Sequence, residues 1–497
     1  MDHPATITTD PESENGRCRA SPTRVIACIN MRTLSAILVL ASGAASAAPV
    51  NTTLDQIPNL KSLPDSTQEL QARIDESSGN LRLEGRSIYR ITKPLIIDLS
   101  KHGAVKVSSN EGATLVMDGP GPALQLRGSH EGTAGPKTFK AATWNERMPV
   151  VSGIEILGNH PEADGIELFQ TVGAIVSRVS VRWARHGVHL VTRNRNVLLS
   201  DCHFYENHGI GVYLDDVNLH QINVANSHIS YNRGGGIVVR DGNVRNLQVS
   251  GCDIEANMPG DETPTKTANI LIDVSGSPDT RAKSVAEVSI TGCTIQHSAN
   301  YGGQDGKTVA PGGANIRLAG KKIYPIDSVT ISGNVLSDTT TNIDIEHAMD
   351  IAISANNFFA PKPGNLRVAK STRVVVTGNT FNPRQFERPG TILFQDCSDC
   401  VIANSTLHKF TTSEGGLILE RCAGFSLNGL VLSECGSGIV LRGTRDTTIS
   451  SCRVTRTTGG ALDLSIGGSN KNILLNGNAF TGKTKISKTA LSKPALQ

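Results

Sequence analysis

Leu247-Gln248-Val249-Ser250-Gly251-Cys252-Asp253-Ile254 and Val288-Ser289-Ile290-Thr291-Gly292-Cys293-Thr294-Ile295 are two copies of one pattern. The phrase V-x-I-x-G-(N/C) returns at Val329 to Asn334, Val374 to Asn379 and Ile473 to Asn478, and in looser form at Val197 to Cys202, Ile222 to Ser227, Ile351 to Asn356 and Phe425 to Leu430. Most steps are 22 to 26 residues. Interleaved with it runs a second phrase, G-I-x-L, as in Gly165-Ile166, Gly187-Val188, Gly211-Val212, Gly236-Ile237, Gly416-Leu417 and Gly438-Ile439. A third apolar position follows the Asn/Cys site, at Phe204, Ile229, Ile254, Ile295, Leu336, Phe381 and Val454. Alternating apolar residues mark half-buried strands, and self-similarity at a fixed period marks a solenoid whose units bury their faces against their neighbours. Three strands per period predict an all-β, right-handed parallel β-helix solenoid of roughly a dozen coils around one core.

In a solenoid, length counts coils and not domains. Residues 81–480 are therefore expected to form one long domain. An aromatic content of 4% and 49 glycines fit tight corners around a narrow aliphatic interior. A net charge of +3 over 497 residues gives no general case for a nucleic-acid partner. Two repeat steps stretch to 41 residues, Cys252 to Cys293 and Cys293 to Asn334, which places insertions at 258–268, 275–284 and 298–313. Insertions in a solenoid bulge from one edge and commonly wall a groove.

Upstream, residues 31–47 carry a basic start, the short apolar run Leu34 to Ala41, and Ala45-Ser46-Ala47. This is the layout of a secretory signal cleaved after Ala47, and the apolar run is too short to span a membrane. It implies export to the periplasm or the medium, with residues 1–30 either a polar extension or the product of a misassigned start. Residues 48–80 read as a linker and a capping helix. Ser66-x-x-Glu69 has the spacing of a capping box, Leu70 and Ile74 share a face, and Gly79 stands where a helix ends. Such a cap would cover the first coil's exposed core and strand edge. Residues 481–497 read as a polar, lysine-rich tail, and 130–148 as a long loop.

Eight of the ten cysteines follow residue 47. Cys202, Cys252, Cys293 and Cys452 fall on the repeat position that Asn334, Asn356, Asn379 and Asn478 hold elsewhere, so inward ladder residues account for them. Cys397-x-x-Cys400 with Cys422 and Cys435 invites a zinc reading, but Cys397 and Cys422 are again equivalent one coil apart. A ladder, or one disulfide, is the expectation. No metal site and no cofactor is expected. Ca2+ could bind through Asp215, Asp253 or Asp273, but the compact Asp-rich loop that calcium sites use is missing.

The segment Leu81-Arg82-Leu83-Glu84-Gly85-Arg86-Ser87-Ile88-Tyr89-Arg90-Ile91-Thr92-Lys93-Pro94-Leu95, entered from the cap helix and followed by the coils, resembles the pectin-lyase-like superfamily, with the N-terminal layout of the pectate-lyase-3 type. That superfamily holds polysaccharide lyases, glycoside hydrolases, uronate epimerases and non-catalytic surface or tail proteins, so the resemblance implies a fold and a carbohydrate connection but not a reaction. Polygalacturonase-like signatures are only partly matched. Ala163-Asp164-Gly165-Ile166 and Asn207-His208-Gly209 are similar, yet Asp215-Asp216 follows the histidine and no Arg-Ile-Lys run exists.

Repeat phase then places side chains. Outward on the third strand, successive coils present Ser180, His203, His228 and Asp253, and two residues on, Arg182, Tyr205, Ser230 and Glu255. The corner beyond offers Arg185, His208 and Arg233. Outward on the G-I-x-L strand lie Glu167, His189 and Tyr213, then Asp215, Arg240 and Asp273. Six of the thirteen histidines lie between residues 186 and 228.

Elimination from a uronate needs its carboxylate neutralised, a base for the C5 proton and an acid for the leaving oxygen. The expected catalytic set is His203, Tyr205, His228 and Arg182. Arg185, His189, His208, Tyr213, Arg233, Arg240, Asp253 and Glu255 are expected to bind substrate in a groove across residues 160–275. The function expected is a secreted polysaccharide lyase acting on an acidic glycan. The alternatives are a non-catalytic surface or carbohydrate-binding β-helix, and a glycoside hydrolase using Asp253 with Glu255 or Asp215 with Asp273. Each outward side chain also has a plain reading as solubilising surface, and Asn207, Asn232 and Asn257 at one corner read as a structural ladder.

Overall fold

The computed structural model describes residues 60–132, 137, 140–260, 263–278, 284–298, 309–384, 389–458 and 461–492. The signal segment, residues 1–30 and the end of the tail lie outside the described residues, as do parts of the three insertions.

Three parallel sheets wind about one core through about 15 turns, a few more than the repeats alone suggested. The extra coils are the early ones and the last, where the V-x-I-x-G phrase is absent. The first sheet carries the G-I-x-L strands, from Leu95–Asp98 to Lys483–Ile486. Its last strand pairs with Leu462–Ile466, so the sheet continues past residue 480 into the segment read as tail. The second sheet carries the V-x-I strands, ending at Lys471–Asn476, and the third carries the three-residue strands after the Asn/Cys position.

In-register pairing stacks like on like. Val176, Leu199, Val224, Val249, Ile290, Ile331 and Ile353 are successive partners on the second sheet, all buried. β-branched and aliphatic side chains suit this pleated, fully covered surface. The Gly of the repeat sits at the corner after the second sheet in the left-handed region, φ 61° at Gly251 and 64° at Gly292, which glycine adopts without steric cost. The Gly of G-I-x-L answers a different need. A Cβ on Gly187 would lie 2.4 Å from the carbonyl oxygen of Gly211 in the next coil.

The asparagine ladder is present and longer than expected. Asn207 Nδ2 donates to Asn232 Oδ1 at 2.7 Å, and Asn232 Nδ2 to Asn257 Oδ1 at 2.7 Å. The series continues through Asn269, Asn315, Asn342 and Asn365. Asn334, Asn356 and Asn379 form a second one. All eight described cysteines are free and buried, most with their thiols turned to backbone carbonyls as ladder residues.

The cap is the helix Thr67–Glu76, with Leu70 and Ile74 buried and the Gly79 N–H bonded to the Ile74 carbonyl at 2.7 Å. Its N-terminus corrects the capping-box reading. Ser66 makes no side-chain cap, and Asp65 instead accepts from the Thr67 N–H at 3.0 Å and from the Thr67 hydroxyl. Part of the loop 130–148 is helical, at Ala141–Asn145.

Candidate functional site

The register places the twelve candidate residues as the repeat phase implied, but on two faces and a corner, not in one groove. His203 pairs with Ser180 and His228, and His228 with Asp253; Tyr205 pairs with Arg182 and Ser230. These lie on the third sheet. His189 pairs with Glu167 and Tyr213, and Asp215 with Arg240, which pairs with Asp273, on the first. The two sheets meet at the corner that holds Arg185, His208 and Arg233.

On the third sheet the rings form an open surface ladder. His203 and His228 stack with centroids 5.0 Å apart and planes within 1°. Arg182 lies over the Tyr205 ring at 4.4 Å and over Trp183 at 4.4 Å, and its guanidinium bonds Glu206 at 2.5 Å. The His228 Nδ1 is 3.4 Å from Asp253 Oδ2, with the His228 side chain 57% exposed. Burial, and then the neighbouring His228, hold His203 below the usual imidazole range, and burial raises Tyr205. Asp253 is raised by burial and by Glu255.

The corner residues are in part structural. Arg185 forms a two-pronged pair with buried Asp164, at 2.9 and 2.6 Å, and Asp164 also accepts the His186 N–H. His208 is pushed down by burial and by Arg233.

The first-sheet face is denser. Asp215 accepts from the Tyr213 hydroxyl at 2.9 Å and pairs with His189 Nε2 at 3.1 Å. The His189 and Tyr213 rings stack at 5.1 Å, 3° from parallel. His186 closes the group, its ring 5.3 Å from His189 and 5.0 Å from Tyr213. The sequence reading left His186 out of the site, although it counted in the histidine cluster. The Ile210 N–H donates to His186 Nδ1 at 3.1 Å, which fixes the proton on Nε2. Burial outweighs the pull of Asp164 and lowers His186 to about 4, so the ring is neutral at pH 7. Gly209 makes room for it, since a Cβ there would lie 2.8 Å from His186 Cε1.

Electrostatics in this group divide the roles. The hydrogen bond from His189, ahead of burial, holds Asp215 low and ionised. Bonding through Nε2–H to that carboxylate leaves His189 Nδ1 an acceptor, and this buried atom has no hydrogen-bond partner. Burial and the charge of Asp215 raise Tyr213, which keeps its proton. Arg240 reaches this group and stands 3.5 Å from Asp273. Tyr213 also packs on an outer apolar cluster of Ile210, Val238, Ala268, Leu271 and Ala314. Ala268 and Ala314 open the strands that follow two of the insertions, so chain flanking the inserted segments walls one side.

Sequence reasoning also missed His297, at the corner beyond the third sheet. Its Nδ1 is 3.5 Å from Glu255 and its Nε2 3.5 Å from Asp338. Burial alone would lower it, but Asp338 and Glu255 outweigh burial and hold it up at about 9. Glu255 is correspondingly low, through His297.

Residues 286–492 match the family model described as periplasmic copper-binding protein (NosD), and residues 150–277 that of the right handed beta helix region. No curated protein matches. Among solved structures the chain is similar to ORF18 of Geobacillus virus E2, with 13% identity and TM-score 0.39, spanning 68% of this chain and only 57% of that one. It is similar to the A-module of a mannuronan C-5 epimerase from Azotobacter vinelandii, with 12% identity and TM-score 0.36 over 87% and 97% of the two chains. It is also similar to the surface protein and adhesin PfbA of Streptococcus pneumoniae, with 10% identity and TM-score 0.39 over 85% and 95%.

Copper asks for converging imidazole, thiolate or thioether donors. Among the described residues no group of three or more His, Cys, Asp or Glu converges in that way, and the matched segment's cysteines are buried in ladders. These residues do not fit a copper centre. No helix among the described residues is long and apolar enough to cross a membrane. With about 15 turns of three parallel strands, and with the right handed beta helix model matching residues 150–277, the chain is a right-handed parallel β-helix.

Proposed function

We propose that the protein is an exported, polysaccharide-active β-helix that cleaves an acidic, uronate-containing glycan by elimination on the first-sheet face. One observation carries this reading: Tyr213 and His189 share the ionised carboxylate of Asp215, beside the guanidinium of Arg240. Arg240, held only loosely by Asp273, would take the uronate carboxylate and stabilise the charge that develops as the C5 proton leaves. Asp215, kept ionised by the hydrogen bond from His189 Nε2 and with its side chain 40% exposed, is the base for the C5 proton, and His189 positions it. Tyr213, kept protonated, is the acid for the leaving glycosidic oxygen. The neutral His186 supplies a fixed Nε2–H donor. In this reading the third-sheet residues His203, Tyr205, His228 and Arg182 contact glycan and do not carry out the chemistry.

The test is ultraviolet absorbance of unsaturated uronate ends during incubation with pectate, alginate and glycosaminoglycans, with reducing ends assayed in parallel. The expected result is absorbance growth that Tyr213→Phe and Asp215→Asn abolish. Reducing ends without absorbance would replace the lyase by a hydrolase, and silence in both assays would leave a binding or surface protein.

A further inference from the structure

The corner after the second sheet repeats in every coil, and its residue has positive φ each time. Gly153, Asp201, Asn226, Gly251, Gly292, Gly333, Ala355, Gly378, Asn404 and Ser451 are among the residues that occupy it, all of them glycine or short side chains. Arg178 occupies it too, with φ 53°. Among these short side chains Arg178 is the long, charged and exposed one.

Arg178 lines a cleft of about 570 Å³ between the second and third sheets, together with Lys106 and His203. The cleft opens where the chain inserts residues between Ser108 and Ala113 and breaks the strand register. Neither Lys106 nor Arg178 forms an ion pair among the described residues. In its wall the Ser109 hydroxyl is buried, at 7% exposure for the residue, without a hydrogen-bond partner. Glu155 and Asp201 add acceptors at the rim. From His203 the stacked imidazoles of His203 and His228, 5.0 Å apart, continue along the helix axis.

We infer that this cleft is a second, non-catalytic binding site for an acidic glycan, remote from the first-sheet group. Lys106 and Arg178 take a sugar carboxylate or sulfate, Ser109, Glu155 and Asp201 take hydroxyls, and the His203 and His228 rings carry the next unit. The inference shares with the proposed function the idea of a glycan ligand, but not the reaction.

Calorimetric titration with size-defined oligouronates, and with neutral gluco-oligosaccharides as the contrast, tests it on the wild type, Arg178→Gly, Lys106→Ala and Tyr213→Phe. Arg178→Gly relieves the corner, so it is expected to melt no lower than wild type while losing at least tenfold in affinity for oligouronate. Lys106→Ala should weaken binding in the same direction, and Tyr213→Phe should leave this site's binding intact. Wild-type affinity in Arg178→Gly, equal binding of neutral oligosaccharides, or no oligouronate binding by the wild type would each overturn the inference. Arg178-dependent binding in a protein without turnover would sustain it while the lyase reading fell.

Discussion

Coils built from residues 160–275 and coils built from residues 340–455 share one backbone plan and use their outward faces differently. In the later coils, charges are matched one coil apart: Arg367 with Asp344 at 2.8 Å, Lys370 with Glu346 at 2.7 Å, Arg373 with Asp350 at 2.6 Å and Arg421 with Asp396 at 2.7 Å. In the earlier coils the equivalent faces hold stacked imidazoles, a phenol and a carboxylate shared by two donors. Inside, both regions are alike, with aliphatic columns and asparagine ladders. The contrast separates what the repeat needs from what has been added to it. Where outward residues only pair Arg or Lys with a carboxylate, the surface serves solubility; where imidazoles and a phenol gather around such pairs with shifted titration, the scaffold is holding a site.

The sharpest way to break that comparison is to make matched substitutions in both regions. Loss of a general acid or base typically costs 10²- to 10⁴-fold in rate. Tyr213→Phe and Asp215→Asn are each expected to lower turnover of the responsive glycan by at least about 10²-fold with no change in melting. Arg373→Ala in the later coils should leave turnover unchanged. An equal loss in Arg373→Ala would mean that the later coils also bind substrate, and the division drawn above would fail.

The interior comparison comes next in size. Removing Asn232 strands the Asn207 amide and backbone N–H donors that it accepts, and removing Asn356 does the same to Asn334. Each stranded buried group costs about 1–3 kcal/mol. Asn232→Ala and Asn356→Ala should therefore destabilise to a similar extent in denaturant unfolding. A large effect in only one region would show that the ladders are not equivalent.

These two regions also show what was legible in the sequence. The framework was, because a column such as Val249, Ile290 and Ile331 must be apolar in every coil, and a period survives substitution within one chemical class. Outward registers followed from the same phase, which is why His189 fell beside Tyr213 and His203 beside His228. Phase put the two sets on different strands, but it does not tell whether two faces close on one groove, and so one expected groove became two faces. His297 escaped because it sits at a corner beside an insertion, where the period stretches to 41 residues. Arg178, Lys106 and Ser109 escaped because the early coils lack the repeat phrase and carry a bulge. Ser66 was taken for the helix cap because its spacing to Glu69 fits, while Asp65, one residue earlier, brings a carboxylate that also reaches the Thr92 hydroxyl.

His297 links the site-bearing coils to those that follow and gives the comparison a pH axis. Its folded value of about 9 lies above the ordinary 6.5, so its charged form stabilises the fold. That contribution is full below about pH 6.5 and is lost as pH rises through about 9. It amounts to no more than about 3 kcal/mol before solvent screening is counted. Wild type should lose stability between pH 7 and pH 10 by an increment that His297→Gln lacks, as read by denaturant midpoints across that range. Parallel pH profiles for the two proteins would remove His297 as the tie between Glu255 and Asp338.

The smallest effect belongs to the charge ladders of the later coils. Lys370 and Glu346 are 2.7 Å apart but their side chains are 51% and 34% exposed, so water already solvates both partners. Exposed pairs of this kind contribute about 0.2–1 kcal/mol, since Coulomb attraction at high dielectric is offset by the rotamer entropy of a long side chain. Lys370→Ala should shift the unfolding midpoint only slightly, and less still at 1 M salt, where the Debye length is about 3 Å. A destabilisation comparable to Asn356→Ala would mean that these ladders hold coil to coil, and that matched surface charge in this solenoid is framework and not surface. That result would move the boundary between scaffold and site from the interior out to the faces.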